Sequence, residues 1–273
     1  MQQKVAAVTV VIPCYRCTGS ILRAVDSVLQ QTLMPAEIVL VDDASGDDTL
    51  KILHNLEFTY PHLIKVIALL ANAGAACTRN AGWEKATQPY IAFLDADDSW
   101  HPRKIEIQYT YMINHPEVYL CGHAHHFLSS DKPDLNYGLE NWVAENISKN
   151  VLLVSNKFTT PSVMIKSDIK QRFISGQRFM EDHMLWLDII FSGQKVVKLS
   201  AKLAIIYKNS FGTSGLSSKI WEMEKSELGN YWWLFKNNKI GFISILMLSL
   251  YSLAKYLRRL LIVSLRKIAL AKN

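Results

Sequence analysis

Ile91-Ala92-Phe93-Leu94-Asp95-Ala96-Asp97-Asp98-Ser99-Trp100-His101-Pro102 sets four apolar residues directly against three acids and closes on a proline. Four residues are too few for a helix, so the apolar run reads as a buried strand that delivers carboxylates to the edge of a sheet. Carboxylates this close together repel one another. A hard divalent cation that completes its shell with phosphate oxygens and water is the natural counter-charge. A solvated acidic turn is the plainer alternative.

Upstream the strand-to-edge pattern recurs. Val8-Thr9-Val10-Val11-Ile12-Pro13 is β-branched and apolar, and between Thr18 and Gln31 the residues Ile21, Leu22, Val25, Val28 and Leu29 fall on one helical face. Glu37 to Val41 is a second strand closing on Asp42-Asp43, after which Ala44-Ser45-Gly46-Asp47 turns the chain into a helix predicted to reach about His62. A third strand covers Ile64 to Leu70, and Asn72-Ala73-Gly74 breaks it. A helix from about Ala75 to Ala86 then leads to the fourth strand, Tyr90 to Leu94. Strands alternating with helices predict an α/β fold with a mostly parallel central sheet and right-handed crossovers. Ligands of such sheets bind at the carboxyl ends of the strands. Pro13 to Tyr15, Asp42-Asp43 and Asp95-Ala96-Asp97 all fall at such ends.

Downstream of Pro102 an amphipathic helix is predicted to His115, then a strand from Val118 to Leu128 with His123 and His125 on one face. Cys121, His123, His125 and His126 admit a metal cluster, but histidines on an exposed strand face are the commoner case. Residues 129–160 read as loops and short helices, and Thr160 to Ile165 as a short strand. Glu181 and Asp182 open a helix predicted to end near Ser192, Lys195 to Tyr207 is strand-like, and Asn209 to Ser218 is a mobile loop by composition.

At 273 residues and 49% hydrophobic, the chain is large enough to bury a full core and too apolar for disorder. Its net charge of +6 is local. No acid follows Glu227, whereas Lys236, Lys239, Lys255, Arg258, Arg259, Arg266, Lys267 and Lys272 do, so residues 1–227 hold two more acids than bases. A slightly acidic domain argues against nucleic acid as a partner. Four cysteines, Cys14, Cys17, Cys77 and Cys121, are too few for a disulfide framework and suggest a reducing compartment. Met1-Gln2-Gln3-Lys4 runs into the first strand without an apolar leader, so a cytoplasmic location is expected.

Ile240 to Ala254 carries no charge, and fifteen helical residues span about 22 Å against a hydrocarbon core of about 30 Å. Beyond it Lys255, Arg258, Arg259 and Arg266 share one helical face, with Leu257, Leu260, Leu261 and Leu265 on the other. The pattern predicts a helix lying in an anionic membrane interface, peripheral on the inner face of the cell membrane. The alternative is a helix docked on the domain.

Five motifs in order across residues 8–192 resemble the family 2 inverting glycosyltransferases of the GT-A fold: Pro13-Cys14-Tyr15, Val41-Asp42-Asp43-Ala44-Ser45, Asn72-Ala73-Gly74 with Arg79-Asn80, Asp95-Ala96-Asp97-Asp98, and Glu181-Asp182. Chain length and the basic tail look most like bacterial enzymes that build surface polysaccharides. The resemblance implies a GT-A domain over 1–218, with a nucleotide-binding half at 1–100 and an acceptor half at 101–218, followed by a helical, membrane-associating tail at 219–273. It implies that Pro13 and Tyr15 line the nucleobase pocket and that Asp43 accepts a hydrogen bond from uracil with Asp42 beside it. Arg79 is then near the nucleotide, Asp95 on the ribose, Asp97 on a divalent metal (Mn²⁺ or Mg²⁺), and Asp182 is the catalytic base with Glu181 in reserve.

The implied reaction moves a hexose or N-acetylhexosamine from a UDP-sugar to a hydroxyl of a saccharide acceptor, plausibly polyprenyl-diphosphate-linked. Transfer from a nucleoside diphosphate sugar needs charge neutralisation at the leaving group and a base at the acceptor, which these residue types supply. A catalytically silent nucleotide-sugar-binding module is the alternative. A phosphoacceptor receiver domain fails because its acidic pair belongs after the first strand, and a glycoside hydrolase needs neither a nucleotide pocket nor a metal.

Overall fold

The computed structural model describes residues 5–127, 139, 141–207 and 219–271, with side chains described as far as residue 262. The opening unit is as the periodicity predicts: β1 (Val5–Cys14), α1 (Ile21–Leu29), β2 (Met34–Asp42), α2 (Thr49–Thr59), β3 (Ile64–Ala68), α3 (Gly74–Lys85) and β4 (Tyr90–Phe93). Then come β5 (Ser99–Trp100), α4 (Lys104–Asn114), β6 (Val118–Phe127), β7 (Ala144–Asn146), α5 (Lys149–Val154), β8 (Met164–Lys166), α6 (Glu181–Phe191) and β9 (Lys195–Ile206). Two helices follow, α7 (Ile220–Lys236) and α8 (Phe242–Ala271).

Strand order in the single sheet is β3-β2-β1-β4-β8-β6-β9-β5, with β7 on β9. β3, β2, β1 and β4 are mutually parallel, β8 runs antiparallel to both β4 and β6, and β6 is again parallel to β9. Register sets Cys14 beside Asp42 and Val11 beside Phe93, so β1, β2 and β4 finish along one edge. The loops that follow these strands are where a parallel sheet of this kind offers a site.

Side chains alternate across the sheet. Val8, Val10, Ile12 and Cys14 pack with α1, α2 and α4 through Ile21, Val25, Leu53, Ile105 and Met112. Val11, Ile91 and Phe93 face the opposite layer, where Trp83 of α3, Trp186 and Leu185 of α6, and Tyr231 and Leu234 of α7 form the second core. Gly82 lets α3 lie against Val11 and Val41, because a Cβ there would collide with the Val11 side chain.

Two local expectations change. The segment predicted as a strand from Thr160 to Ile165 begins instead as a 3-10 turn over Thr160–Ser162, since Pro161 has no N–H for a ladder, and only Met164–Lys166 pairs. His123 is buried rather than exposed, with Nδ1 on the Ala124 carbonyl at 2.8 Å. Neither it nor the cysteines belong to a metal cluster among the described residues. The loop predicted at Asn209 to Ser218 lies outside the described residues.

The tail departs most. α8 is continuous over thirty residues, yet no helix among the described residues is long and apolar enough to cross a membrane. Lys255 is not part of an open basic face: its Nζ reaches Glu227 Oε1 at 2.5 Å and the Val154 carbonyl at 3.4 Å. Ser252, one turn earlier, is fully buried. The side of α8 turned to solvent carries Phe242, Ile243, Leu246, Met247, Leu250, Leu253, Leu257 and Leu261. A helix bathed in water presents the reverse arrangement.

Candidate active site

The loops after β1 and β2 are tied to each other. Arg16, at φ +47, donates from its backbone N–H to Ser45 Oγ at 3.1 Å and from Nε to the Ser45 carbonyl at 3.2 Å. Asp42 is spent inside this knot, accepting from Ser45 Oγ at 2.5 Å and from the Ser45 N–H at 3.2 Å. Asp42 was expected beside the nucleobase; with both oxygens engaged and 3% exposure it holds the turn that does the presenting. Tyr15, half exposed at the strand end, is left facing outward beside Arg16.

Asp43 gathers the third motif. Its carboxylate accepts from Asn72 Nδ2 at 2.9 Å, the Ala73 N–H at 2.7 Å and the Gly74 N–H at 2.9 Å. Gly74, at φ +82, opens α3 in a left-handed conformation that glycine adopts freely. A carboxylate has about four lone-pair sites. Three bonds therefore leave Asp43 capacity for one further donor.

Asp95, Asp97 and Asp98 follow β4, and each offers an oxygen within 4.8 Å of the others. Their turn is held largely through main chain: the Asp98 N–H bonds the Asp95 carbonyl at 3.0 Å, and Arg23 of α1 bonds the Asp97 carbonyl at 2.6 Å. Asp98 also accepts from the Tyr207 N–H at 3.2 Å, while the Arg23 guanidinium stacks 3.8 Å from the Tyr207 ring centroid. Asp98, Arg23 and Tyr207 carry no assigned role in the sequence reading. A third acid in the DxD run was the one available signal, and the other two come from distant segments.

Arg79 is the joint of the site. It was expected near the nucleotide, but its side chain is buried, with Nη2 on Asp95 Oδ1 at 2.8 Å and Nη1 on Glu181 Oε1 at 3.0 Å. Burial works against its charge, and the two carboxylates more than offset that, so Arg79 holds its proton more firmly than usual. Glu181 is thereby committed as a structural partner. Burial raises its proton affinity and Arg79 lowers it.

Asp182 is placed differently. Its Oδ1 accepts the His183 N–H at 2.6 Å and its Oδ2 the Asn156 amide at 3.3 Å. Burial, with a contribution from the Asp95 charge, lifts its carboxyl above the usual range despite the hydrogen bonds and Arg79. A carboxylate made more basic in this way is suited to accept a proton. The structure thus brings Asp95, Glu181 and Asp182 around Arg79, and knots the loops carrying Tyr15, Asp42 and Asp43 at the same sheet edge.

Comparison with known proteins agrees. The sequence profile described as glycosyl transferase family 2 matches residues 9–171. A UDP-Glc:alpha-D-GlcNAc-diphosphoundecaprenol beta-1,3-glucosyltransferase of Escherichia coli, WfaP, is 30% identical over 200 residues, 69% of this chain and 72% of the relative. The amylovoran biosynthesis glycosyltransferase AmsE of Erwinia amylovora is 29% identical over 258 residues, 92% of each chain.

Among solved structures, S. aureus TarS 1-349 superposes with TM-score 0.64 at 16% identity over 90% of this chain and 70% of that one. The mannosyltransferase PcManGT of Pyrobaculum calidifontis, in complex with GDP-Man and Mn²⁺, gives TM-score 0.61 at 18% identity over 91% and 70%. At such identity the likeness is one of fold, here GT-A. The chain belongs to glycosyl transferase family 2 and is a sugar-transferring enzyme.

Proposed function

We propose that the protein moves a hexose or N-acetylhexosamine, with inversion, from a UDP-sugar to a hydroxyl of a lipid-linked saccharide during surface polysaccharide synthesis. The observation that carries this reading is the sharing of Arg79 by Asp95, from the acidic turn, and Glu181, the neighbour of Asp182. Donor-side acids and a basic carboxylate thereby face one site. Solved TarS complexes with UDP-GlcNAc and with UDP, at TM-scores of 0.63 and 0.61, and the UDP-Glc named for WfaP support a UDP-sugar as donor. The diphosphoundecaprenol in the name of WfaP supports a lipid-linked acceptor.

Tyr15 and Pro13 form the wall for the base, and the remaining acceptor site on Asp43 takes the uracil N–H. Asp95, pinned by Arg79, is oriented toward the ribose. The hard oxygens of Asp97, Asp98 and Asp95, converging within 4.8 Å, suit a divalent ion such as Mn²⁺ or Mg²⁺. Bound there, such an ion neutralises the charge that develops on the departing diphosphate. Asp182 takes the proton from the acceptor hydroxyl as that oxygen attacks the anomeric carbon from the side opposite UDP, which gives inversion. Asn156 and the His183 N–H hold both oxygens of Asp182 in place for that step.

The exposed apolar side of α8 supports a position at the inner face of the membrane, with the helix lying in the interface and Trp221 and Trp232 of α7 also exposed. A screen of UDP-sugars against a lipid-linked saccharide, reading released UDP with and without Mn²⁺ or Mg²⁺, tests the activity. Metal-dependent release with one donor supports it, and release that ignores metal overturns the metal assignment. Flotation of the chain with anionic liposomes, lost on Leu246→Ser with Leu250→Ser, tests the surface. Flotation unchanged by both substitutions overturns it.

A further inference from the structure

Glu181 and Asp182 do not follow an ordinary helix start. Met180, immediately before them, sits at φ +55 and ψ +22, a left-handed conformation that an unbranched side chain adopts rarely and at a cost. Met180, at the N-cap position, makes no side-chain capping bond to α6. Something else must keep the turn in that shape, because relaxation at Met180 would swing both carboxylates.

The restraint comes from α7. Asn230, 3% exposed, donates from Nδ2 to the Met180 carbonyl at 3.2 Å, the same oxygen that accepts the first helical bond of α6 from the Met184 N–H at 3.0 Å. Its Oδ1 accepts from Gln177 Nε2 at 2.9 Å, and that amide also bonds the Phe179 carbonyl at 2.9 Å. Both ends of the Asn230 amide are therefore used on the segment that leads into Glu181, one on Gln177 and the other on Met180. Tyr231, the next residue on α7, bonds the Leu153 carbonyl at 3.0 Å and Glu227 at 2.8 Å, so the rail carrying Asn230 is itself anchored in the domain.

We propose that Asn230 is a positioning residue for the transfer reaction: its amide holds the left-handed Met180 turn and so aims Asp182 at the acceptor hydroxyl. The proposal deepens the assignment of Asp182 as base and rests on it. It also gives α7, which lies beyond the residues matched by the family profile, a part in catalysis. Asn230 touches no reacting atom, so its effect is on orientation. A misplacement on the order of 1 Å costs up to about 100-fold in rate.

The test is steady-state kinetics on the full chain with Asn230→Ala, Asn230→Asp and Asp182→Asn, together with UDP titration. Asn230→Ala is expected to lower kcat about 10-fold or more, with donor KM and UDP affinity within twofold of the parent. Asn230→Asp keeps the acceptor for Gln177 but lacks the donor to Met180, and is expected to match Asn230→Ala. Adding Met180→Gly, which adopts the left-handed conformation without cost, is expected to restore much of the kcat lost in Asn230→Ala.

A kcat within twofold of the parent in Asn230→Ala overturns the proposal. So does a fall in kcat and UDP affinity together that Met180→Gly leaves unrepaired, since that marks a general loss of folded protein. Near-normal turnover by Asp182→Asn overturns the underlying base assignment instead, which separates the two failures.

Discussion

Two sets of carboxylates meet at one sheet edge and are held in opposite ways. Asp97 and Asp98 ride on a turn tethered to Arg23 through the Asp97 carbonyl and to Tyr207, just after β9, through the Asp98 carboxylate, and with Asp95 they bring three oxygens within 4.8 Å. Glu181 and Asp182 are held through side chains from α3, the segment before the 3-10 turn, and α7. The first set suits the divalent ion proposed above, and its Asp95 is also paired with Arg79. The second is completed from within, by Arg79, and leaves Asp182 as the one member whose proton affinity is raised without an ion pair of its own.

The sharpest way to break this contrast is Asp182→Asn. It removes the proposed base without disturbing the loops after β1 and β2, so kcat is expected to fall by up to about 10⁴-fold while UDP affinity holds; isothermal titration alongside UDP release reads both. The pH profile sharpens the same point. Asp182 acting as the proposed base must be ionised, and burial raises its pKa, so activity is expected to be lost on acidification at a pH above the ordinary aspartate value of about 3.9. An acid limb at the ordinary position would undo the assignment.

Next is Asp97→Ala, expected to cost about 10²–10³-fold in kcat. Stimulation by added Mn²⁺ is expected to disappear with it. Were Asp97→Ala to keep its metal response, the two sets would not differ as described.

Arg79→Met strikes both sets at once. It strands Asp95 and Glu181 in a partly buried site without their cation, and a loss of about 3 kcal/mol of unfolding free energy is expected in denaturant titration. The smallest effect belongs to Lys255→Met, which leaves the nearly buried Glu227 with the Tyr231 hydroxyl but without its ion-pair partner and costs about 1–2 kcal/mol. Burial of Glu227 is outweighed by Lys255, so its folded pKa lies below the ordinary range. That contribution is present above the unfolded value of about 4.3 and is lost as pH falls through the folded one. Hydrogen exchange in α8 rising in acid, and already high in Lys255→Met, checks both statements.

The first four strands and their intervening helices were legible because their signals are local. Apolar runs ending in Pro13, Asp42 and Asp95 mark strand ends by periodicity alone, and residues within a few positions of such an end share its edge. Thr160 to Ile165 misled because β-branched composition says nothing about whether a partner strand is in register there. α8 misled for a related reason. A helical wheel separates Lys255 and Arg258 from the leucines, but only packing shows that Lys255 turns to Glu227 with Ile245 and Leu248 against the domain, while Arg258 stays exposed beside Leu257 and Leu261.

From the sequence alone come the order of strands and helices, the acidic turn after β4, the family resemblance, and the pairing of an acidic run with Glu181-Asp182. These are encoded in short windows, where propensity and alternation act directly on the chain. Tertiary structure decided that Arg79 serves two carboxylates 102 and 16 residues away, that Asp42 and most of Asp43 are consumed by their own loops, and that Asn230 steadies the turn before Asp182. Such roles depend on which buried donors reach which acceptors. That is a property of packing, and apart from Asp42 with Ser45 no short stretch of sequence contains both partners.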